Sequence, residues 1–372
     1  MATHDGTWGY RDRFGDSFGR TYFRRFGPGV VSSIGVGTYL GDPTADVDDR
    51  YHDALVAALD NGINLVDTAI NYRCQRSERV VGHALRESSA ARDEVVVATK
   101  GGFLPFDGSR PEEPGRYVRE RFVDTGLVDP DDLAHGSHCI APGFLDDQLD
   151  RSLDNLDLDT IDLYYVHNPE TQLAVRSREA VYDQLEAAFE LLEERRTAGD
   201  IGAYGVATWN AFRVADGHEQ YLSLPEVVAR AKAAAATVGN DEVGLKAVQL
   251  PFNVVMADAF TVKSHASDDE NEDGADDGDG PTSALEYAHE QGLSVFTSAS
   301  IAQGDLAARL PEDVAAKLAG DSTVQRAINF ARSAPGVTAA LVGMGQKEHV
   351  AENVAAGTFD PLGAKAFDAV FE

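Results

Sequence analysis

The chain has 372 residues, of which 62 are Asp or Glu against 32 Lys or Arg, giving a formal net charge of -30. A surface of that sign repels nucleic acid and anionic membranes, and no stretch reaches the ~18 uninterrupted apolar residues of a membrane span. Two cysteines, Cys74 and Cys139, leave no room for a disulfide framework, so the default setting is reducing and cytoplasmic.

Residues 1–22, rich in Gly, Arg and aromatics, read as an N-terminal extension in the form of a mobile arm. After them, short β-branched runs alternate with amphipathic segments about eight times. Strands are expected near 33–37, 63–67, 94–100, 161–166, 201–206, 244–249, 293–297 and 337–342. Helical patterns cover 48–61, 77–87, 145–156, 179–197 and 324–333. Strands that are apolar on both faces and alternate with helices predict a parallel sheet closed into a barrel. The expectation is therefore one α/β domain over 1–372, a (β/α)8 TIM barrel with long loops at its C-terminal face. The open doubly wound sheet competes poorly, because Gly35, Gly37 and Gly41 space the third glycine of its nucleotide fingerprint one residue too far.

Two insertions decorate this scheme. Residues 101–141 lack strong periodicity and leave the strand that ends in Lys100, which predicts a lid or specificity loop. Residues 262–281 read as an acidic linker. Within it Asp269, Asn271, Asp273 and Gly274 match positions of a calcium loop, but Gly280 stands where a bidentate glutamate belongs, and Pro281 follows. No metal site is expected there, nor at His52, His83, His138, His289 or His349, which have no partners at ligand spacing. The acid excess runs along the whole chain, and the basic residues are 25 Arg and only 7 Lys. That pattern fits a salt-adapted, halophilic protein, whose acidic surface stays soluble where the Debye length falls to ~3 Å.

Four polar residues stand at or just after expected strand ends: Asp67, Tyr72, Lys100 and His167. A tyrosine that gives a proton to a carbonyl oxygen has an ordinary pKa near ~10 and needs a nearby cation favouring its phenolate. Lys100 supplies that cation, Asp67 holds the lysine, and His167 binds the same oxygen. The strand scheme brings all four to the C-terminal face of a barrel, where such enzymes keep their chemistry.

This set resembles the catalytic tetrad of the aldo-keto reductases, and the resemblance extends along nearly the whole chain. Residues 32–41 look like the family's first barrel strand, Gly205-Val-Ala-Thr-Trp-Asn210 like its Gly-Val-Ser-Asn-Phe strand end, and Val248-Gln249-Leu-Pro-Phe-Asn253 like the strand with the nicotinamide-contacting glutamine. The segment Gln346 to Asn353 is similar to the helix that receives the adenosine 2′-phosphate and adenine. The resemblance implies NAD(P)H-dependent, reversible reduction of an aldehyde or ketone, with NADP as cofactor and NAD possible, and a small-molecule carbonyl or alcohol as substrate. It implies cofactor contacts at Ala207, Thr208, Gln249, Ser298, Ile301, Gly304, Gly343, Gln346, Lys347, His349, Glu352 and Asn353, with Trp209 and Phe103 lining the substrate pocket. Departures are specific. Ser298 and Ala299 replace the ring-stacking aromatic and its serine, with Phe296 one pleat deeper. Ala207 and Thr208 replace the carboxamide-binding serine and asparagine, a contact that Asn210 or backbone would complete, and His349 takes the phosphate-binding arginine's position. Two alternatives remain open: a regulatory relative like the redox-sensing cytoplasmic subunits of potassium channels, and a Schiff-base aldolase with Lys100 as nucleophile.

Overall fold

Residues 1–266 and 280–371 are described by a computed structural model. Eight parallel strands close into a barrel: β1 (Ile34–Gly37), β2 (Leu65–Asp67), β3 (Val96–Gly101), β4 (Ile161–His167), β5 (Ile201–Ala207), β6 (Leu245–Pro251), β7 (Ser294–Ser298) and β8 (Val337–Gly343). Each pairs with the next in the chain, and β8 pairs with β1 to close the ring. The expected (β/α)8 barrel is found, strand for strand.

Strand pleating explains the two-sided apolarity. Leu65, Val96, Leu163, Phe296 and Leu341 share one buried cluster inside the barrel, while Val66, Val97, Tyr164, Val206 and Val295 face outward into a larger core with the surrounding helices. Those helices include Ala45–Leu59, Arg76–Glu87, Pro142–Leu156, Arg178–Ala198 and Thr323–Ser333, each within three residues of its expected bounds.

Below the barrel, Phe23–Phe26 and Gly29–Ser32 form an antiparallel hairpin. Val31 joins the interior cluster and Phe26 meets Phe296 edge-on, with ring centroids 5.4 Å apart, so the hairpin floors the barrel. The extension before it differs from the expected mobile arm. His4–Phe14 is an α-helix whose Tyr10 is fully buried and donates its hydroxyl to the carbonyls of Leu59 and Ile63. Arg13 pairs with Glu94, and the Phe18 and Tyr22 rings stack at 3.9 Å. Gly6 and Gly9 weaken the helix signal in the sequence, yet Gly6 is needed: a Cβ there would lie 2.2 Å from the Asp93 carbonyl oxygen. Tertiary docking, not local propensity, makes this helix.

The connection at 101–141 is folded as well. Short helical turns at Pro114–Val118 and Pro130–Asp132 wrap a small core of Leu104, Val118, Phe122, Val128 and Cys139 that packs on Phe144 of the following helix. In the insertion at 262–281, Lys263–His265 and Thr282–Ser283 pair antiparallel, pinning its two ends together. The acidic tract and its calcium-loop match at 269–274 lie outside the described residues. Among the described residues, no helix is long and apolar enough to cross a membrane.

Candidate active site

The barrel register brings the four strand-end residues together. Asp67 pairs with Ala98, so Lys100 stands two residues further up the adjacent strand, and His167, Ala207 and Gln249 are in register across β4, β5 and β6. Lys100 Nζ donates to Asp67 Oδ1 at 2.6 Å and to the Thr68 carbonyl at 2.8 Å. Gln249 Nε2 donates to Asp67 Oδ2 at 2.7 Å, so both carboxylate oxygens are engaged. Lys100 Nζ lies 5.0 Å from the Tyr72 ring centroid, and the Tyr72 and His167 rings are 6.1 Å apart.

Tyr72 is carried on an unusual turn. The next three residues, Arg73, Cys74 and Gln75, all have positive φ (48°, 58° and 67°), a conformation that costs about 1–3 kcal/mol per non-glycine residue. The turn is held from outside: Arg73 donates to the Asp42 carbonyl and the Asp48 carboxylate, and Gln75 Nε2 donates to the Phe106 carbonyl at 3.0 Å. Strain held in this way fixes the tyrosine's position.

Burial acts on Lys100, His167 and Tyr72 alike. It holds the Lys100 ammonium below its usual pKa, an effect that Asp67 opposes. It drives His167 well below the ordinary imidazole value, with the Lys100 charge adding to the shift, so the ring is neutral at pH 7. The Tyr72 phenol is raised well above 10 by burial, and Asp67 pushes in the same direction. The lowered tyrosine pKa expected from the sequence is therefore not found. The lysine's nearest contacts are Asp67 and the Thr68 carbonyl, and the phenol is held as a protonated donor.

Above these residues opens a cavity of about 820 Å³. Asp67, Tyr72, His167, Phe103 and Trp209 line it. Ala207, Thr208, Gln249 and Ser298 line it as well, together with Ile301, Gly304 and Gly343. Gln346, His349, Glu352 and Asn353, contributed by the helix Lys347–Ala355 and its N-cap, also belong to the lining. Lys347 is exposed and does not line the cavity, whereas Arg50, from the helix after β1, does. Asn210 is occupied elsewhere, donating to Gln220 and accepting from Arg213. Phe296 is buried in the barrel interior, so nothing in β7 replaces the absent ring-stacking aromatic at Ser298. Thr208 fits a cofactor amide better: its Oγ1 is buried in the cavity wall with no partner among the described residues.

Other residues of the site were not singled out from the sequence. Tyr39, Leu40 and Asn71 line the cavity. Glu170 is buried, with a raised pKa from burial, and accepts from the backbone amides of Trp209 (2.7 Å) and Asn210 (2.9 Å), which fixes the turn after β5. Its only sequence signal is its place just after a strand end, in Asn168-Pro-Glu170. Lys100 itself is fully buried with its ammonium engaged, an arrangement unsuited to the free amine of a Schiff-base nucleophile.

Fold and cavity together define a parallel (β/α)8 barrel with a nucleotide-sized cleft over an Asp-Lys-Tyr-His cluster. The profile of the aldo/keto reductase family matches residues 33–372, and the chain belongs to that family. It is similar to aldo-keto reductase YhdN of Bacillus subtilis, with 30% identity over 183 residues, 48% of this chain and 44% of that protein. D-threo-aldose 1-dehydrogenase of a Pseudomonas species is 35% identical over 161 residues, 43% of this chain and 44% of the relative. The chain thus spans about half the length of the curated relatives it matches. Among solved structures, glycerol dehydrogenase of Gluconobacter oxydans superposes with a TM-score of 0.62 at 19% identity, covering 95% of both chains. An aldo-keto reductase of Klebsiella pneumoniae in complex with NADPH gives 0.60 at 18% identity, covering 95% of this chain and 94% of the other.

Proposed function

We propose that the protein is an NAD(P)H-dependent oxidoreductase that reversibly reduces an aldehyde or ketone to an alcohol, with NADPH as its main cofactor and NADH as a second. The observation that carries this reading is the Asp67–Lys100 pair buried beside Tyr72 at the closed end of the cavity, with a neutral His167 across from it. When bound, the nicotinamide supplies a hydride. Tyr72 donates its proton to the oxygen that becomes the alcohol, while the neutral His167 imidazole fixes that oxygen's position. Lys100, anchored by Asp67 and 5.0 Å from the Tyr72 ring centroid, is the cation placed to stabilise the tyrosinate left behind. Gln249, through its bond to Asp67, and the free Thr208 hydroxyl hold the nicotinamide amide; Ser298, Ile301, Gly304 and Gly343 border the phosphates, and Gln346, His349, Glu352 and Asn353 the adenosine.

The substrate end favours uncharged carbonyl compounds. Tyr39 and Trp209 in the cavity lining are exposed, and Arg213, four residues after Trp209, is paired with Asp258. The chain reads as one barrel domain with an extension at 1–22, a folded connection at 101–141 and an acidic insertion at 262–281. Its charge of -30 suits a cytoplasm rich in salt. The test is turnover of NADPH and NADH with aldehydes, ketones and sugars from low to molar potassium chloride, with melting temperature measured alongside. The expected result is NADPH oxidation with an uncharged aldehyde and a melting temperature that rises with salt. Tight NADPH binding with no turnover on any carbonyl would replace the reductase by a cofactor-sensing regulatory protein, and a flat melting curve would remove the salt adaptation alone.

A further inference from the structure

Among the described residues His167 Nδ1 has no hydrogen-bond partner, so no side-chain bond from them on that nitrogen orients its ring. Its position depends on where its backbone stands and on the rings beside it. The connection at 101–141 contributes to both, through His138 and Phe103. His138 Nε2 lies 2.7 Å from the His167 carbonyl oxygen, and Gln172 Nε2 lies 2.9 Å from His138 Nδ1 and 3.0 Å from the His138 carbonyl. A carbonyl accepts only, so Nε2 carries the proton and Nδ1 receives the amide of Gln172. Burial lowers the His138 pKa to about 4, which keeps that single tautomer at neutral pH.

The same contact organises the substrate wall. The Phe103 ring meets His138 edge-on at 4.8 Å and His167 at 5.0 Å, so it is held between the two histidines. Gly102 has φ +142°, and a Cβ there would lie 2.8 Å from the His167 oxygen and 3.2 Å from His138 Nε2, so only glycine allows this approach. Gln148 accepts from the Gly102 amide at 2.7 Å and donates to the Phe103 carbonyl at 2.8 Å, and the Cys139 amide donates to the Gly102 carbonyl at 2.9 Å. The backbone groups of Gly102 and the His167 carbonyl are thereby paired across the joint between β3, β4 and the returning connection.

We infer that His138 is a positioning residue: through its bond to the His167 carbonyl and its contact with Phe103 it sets where the His167 imidazole presents itself to the substrate oxygen. The inference rests on the carbonyl-reductase reading of the site. It also gives the connection at 101–141 a role as a buttress. An error near 1 Å in the placement of a reacting group costs on the order of 100-fold in rate.

The experiment compares His138→Ala and His138→Gln with the unaltered protein in kcat, KM for one uncharged aldehyde, NADPH dissociation constant by fluorescence, and melting temperature. The Ala variant should lose about 10-fold to 100-fold in kcat with its NADPH affinity unchanged. The Gln variant, whose amide can donate to the same carbonyl, should recover most of that loss. An unchanged kcat in His138→Ala, or losses of kcat, cofactor affinity and melting temperature that run in parallel and that Gln does not restore, would overturn the positioning role alone. An unaltered protein that reduces no carbonyl would overturn the reading of the site with it. If His138→Ala does not fold, ¹⁵N NMR of the unaltered protein decides: a neutral Nε2–H tautomer at pH 7 supports the assignment, and an Nδ1–H or doubly protonated ring contradicts it.

Discussion

The two ends of the cavity are built on opposite principles. At the closed end, Lys100, Asp67, Gln249 and His138 are buried and nearly every polar atom is paired within the chain, so geometry is set before anything binds. Where adenosine is proposed to bind, Gln346 and His349 are exposed, and the Gln346 side chain makes no capping bond to its helix. A buried ammonium or carboxylate without partners is costly, so the closed end tolerates few substitutions, whereas an exposed end is read by weak, replaceable contacts. The proposed chemistry therefore falls on the buried, paired residues and the proposed adenosine contacts on the more exposed ones.

The sharpest way to break this contrast is to remove one member of the buried pair. Lys100→Met leaves the Asp67 carboxylate buried with only Gln249 and should cost about 3–5 kcal/mol of stability in addition to nearly all turnover. Adding Asp67→Asn should restore much of the stability and none of the activity. Denaturant unfolding and single-turnover rates on the three proteins separate the two effects, and a Lys100→Met variant of normal stability would show the pair to be solvated.

A smaller effect is expected from acid. The unfolded chain takes up a proton on His138 near its ordinary pKa of ~6.5, whereas the folded chain does so only near about 4. Folded stability from this group is therefore complete above ~6.5 and falls as the pH drops toward 4, by roughly 3 kcal/mol over the window. His265 and His167, also lowered by burial, act in the same direction. Unfolding free energy should fall between pH 7 and 4.5 in the unaltered protein and less steeply in His138→Gln; equal slopes would mean that the ring is not held neutral.

The smallest effect belongs to the adenosine end. Arg50 lines the cavity and Lys347 does not, so Arg50→Gln should weaken NADPH relative to NADH by roughly two- to fivefold, in keeping with exposed ion pairs, and Lys347→Glu by less. Equal dissociation constants for both cofactors in every variant would place the 2′-phosphate away from this helix.

The same contrast governs what was legible in the sequence. The barrel was readable because its strands are apolar on both faces, and the tetrad because Asp67, Lys100 and His167 interrupt such strands at their ends. The helix His4–Phe14 was hidden because its stability comes from burying Tyr10 against residues 59–63, and two glycines mask its local preference. His138 was hidden for a related reason. It lies in a connection without periodicity, and its partners, the His167 carbonyl and Gln172, are 29 and 34 residues away. The expected lowering of the Tyr72 pKa failed because the sequence shows a cation and a carboxylate near a phenol but not the burial, which raises the phenol most, with Asp67 adding to it.

The central claim is that Tyr72 delivers the proton. Tyr72→Phe keeps the ring, its packing and the strained turn, so melting temperature and the NADPH dissociation constant should barely move. General acid catalysis is commonly worth ~10²–10⁴-fold, and kcat with an uncharged aldehyde should fall by at least that factor. Near-normal turnover in Tyr72→Phe would contradict the mechanism, whatever the other residues of the cavity do.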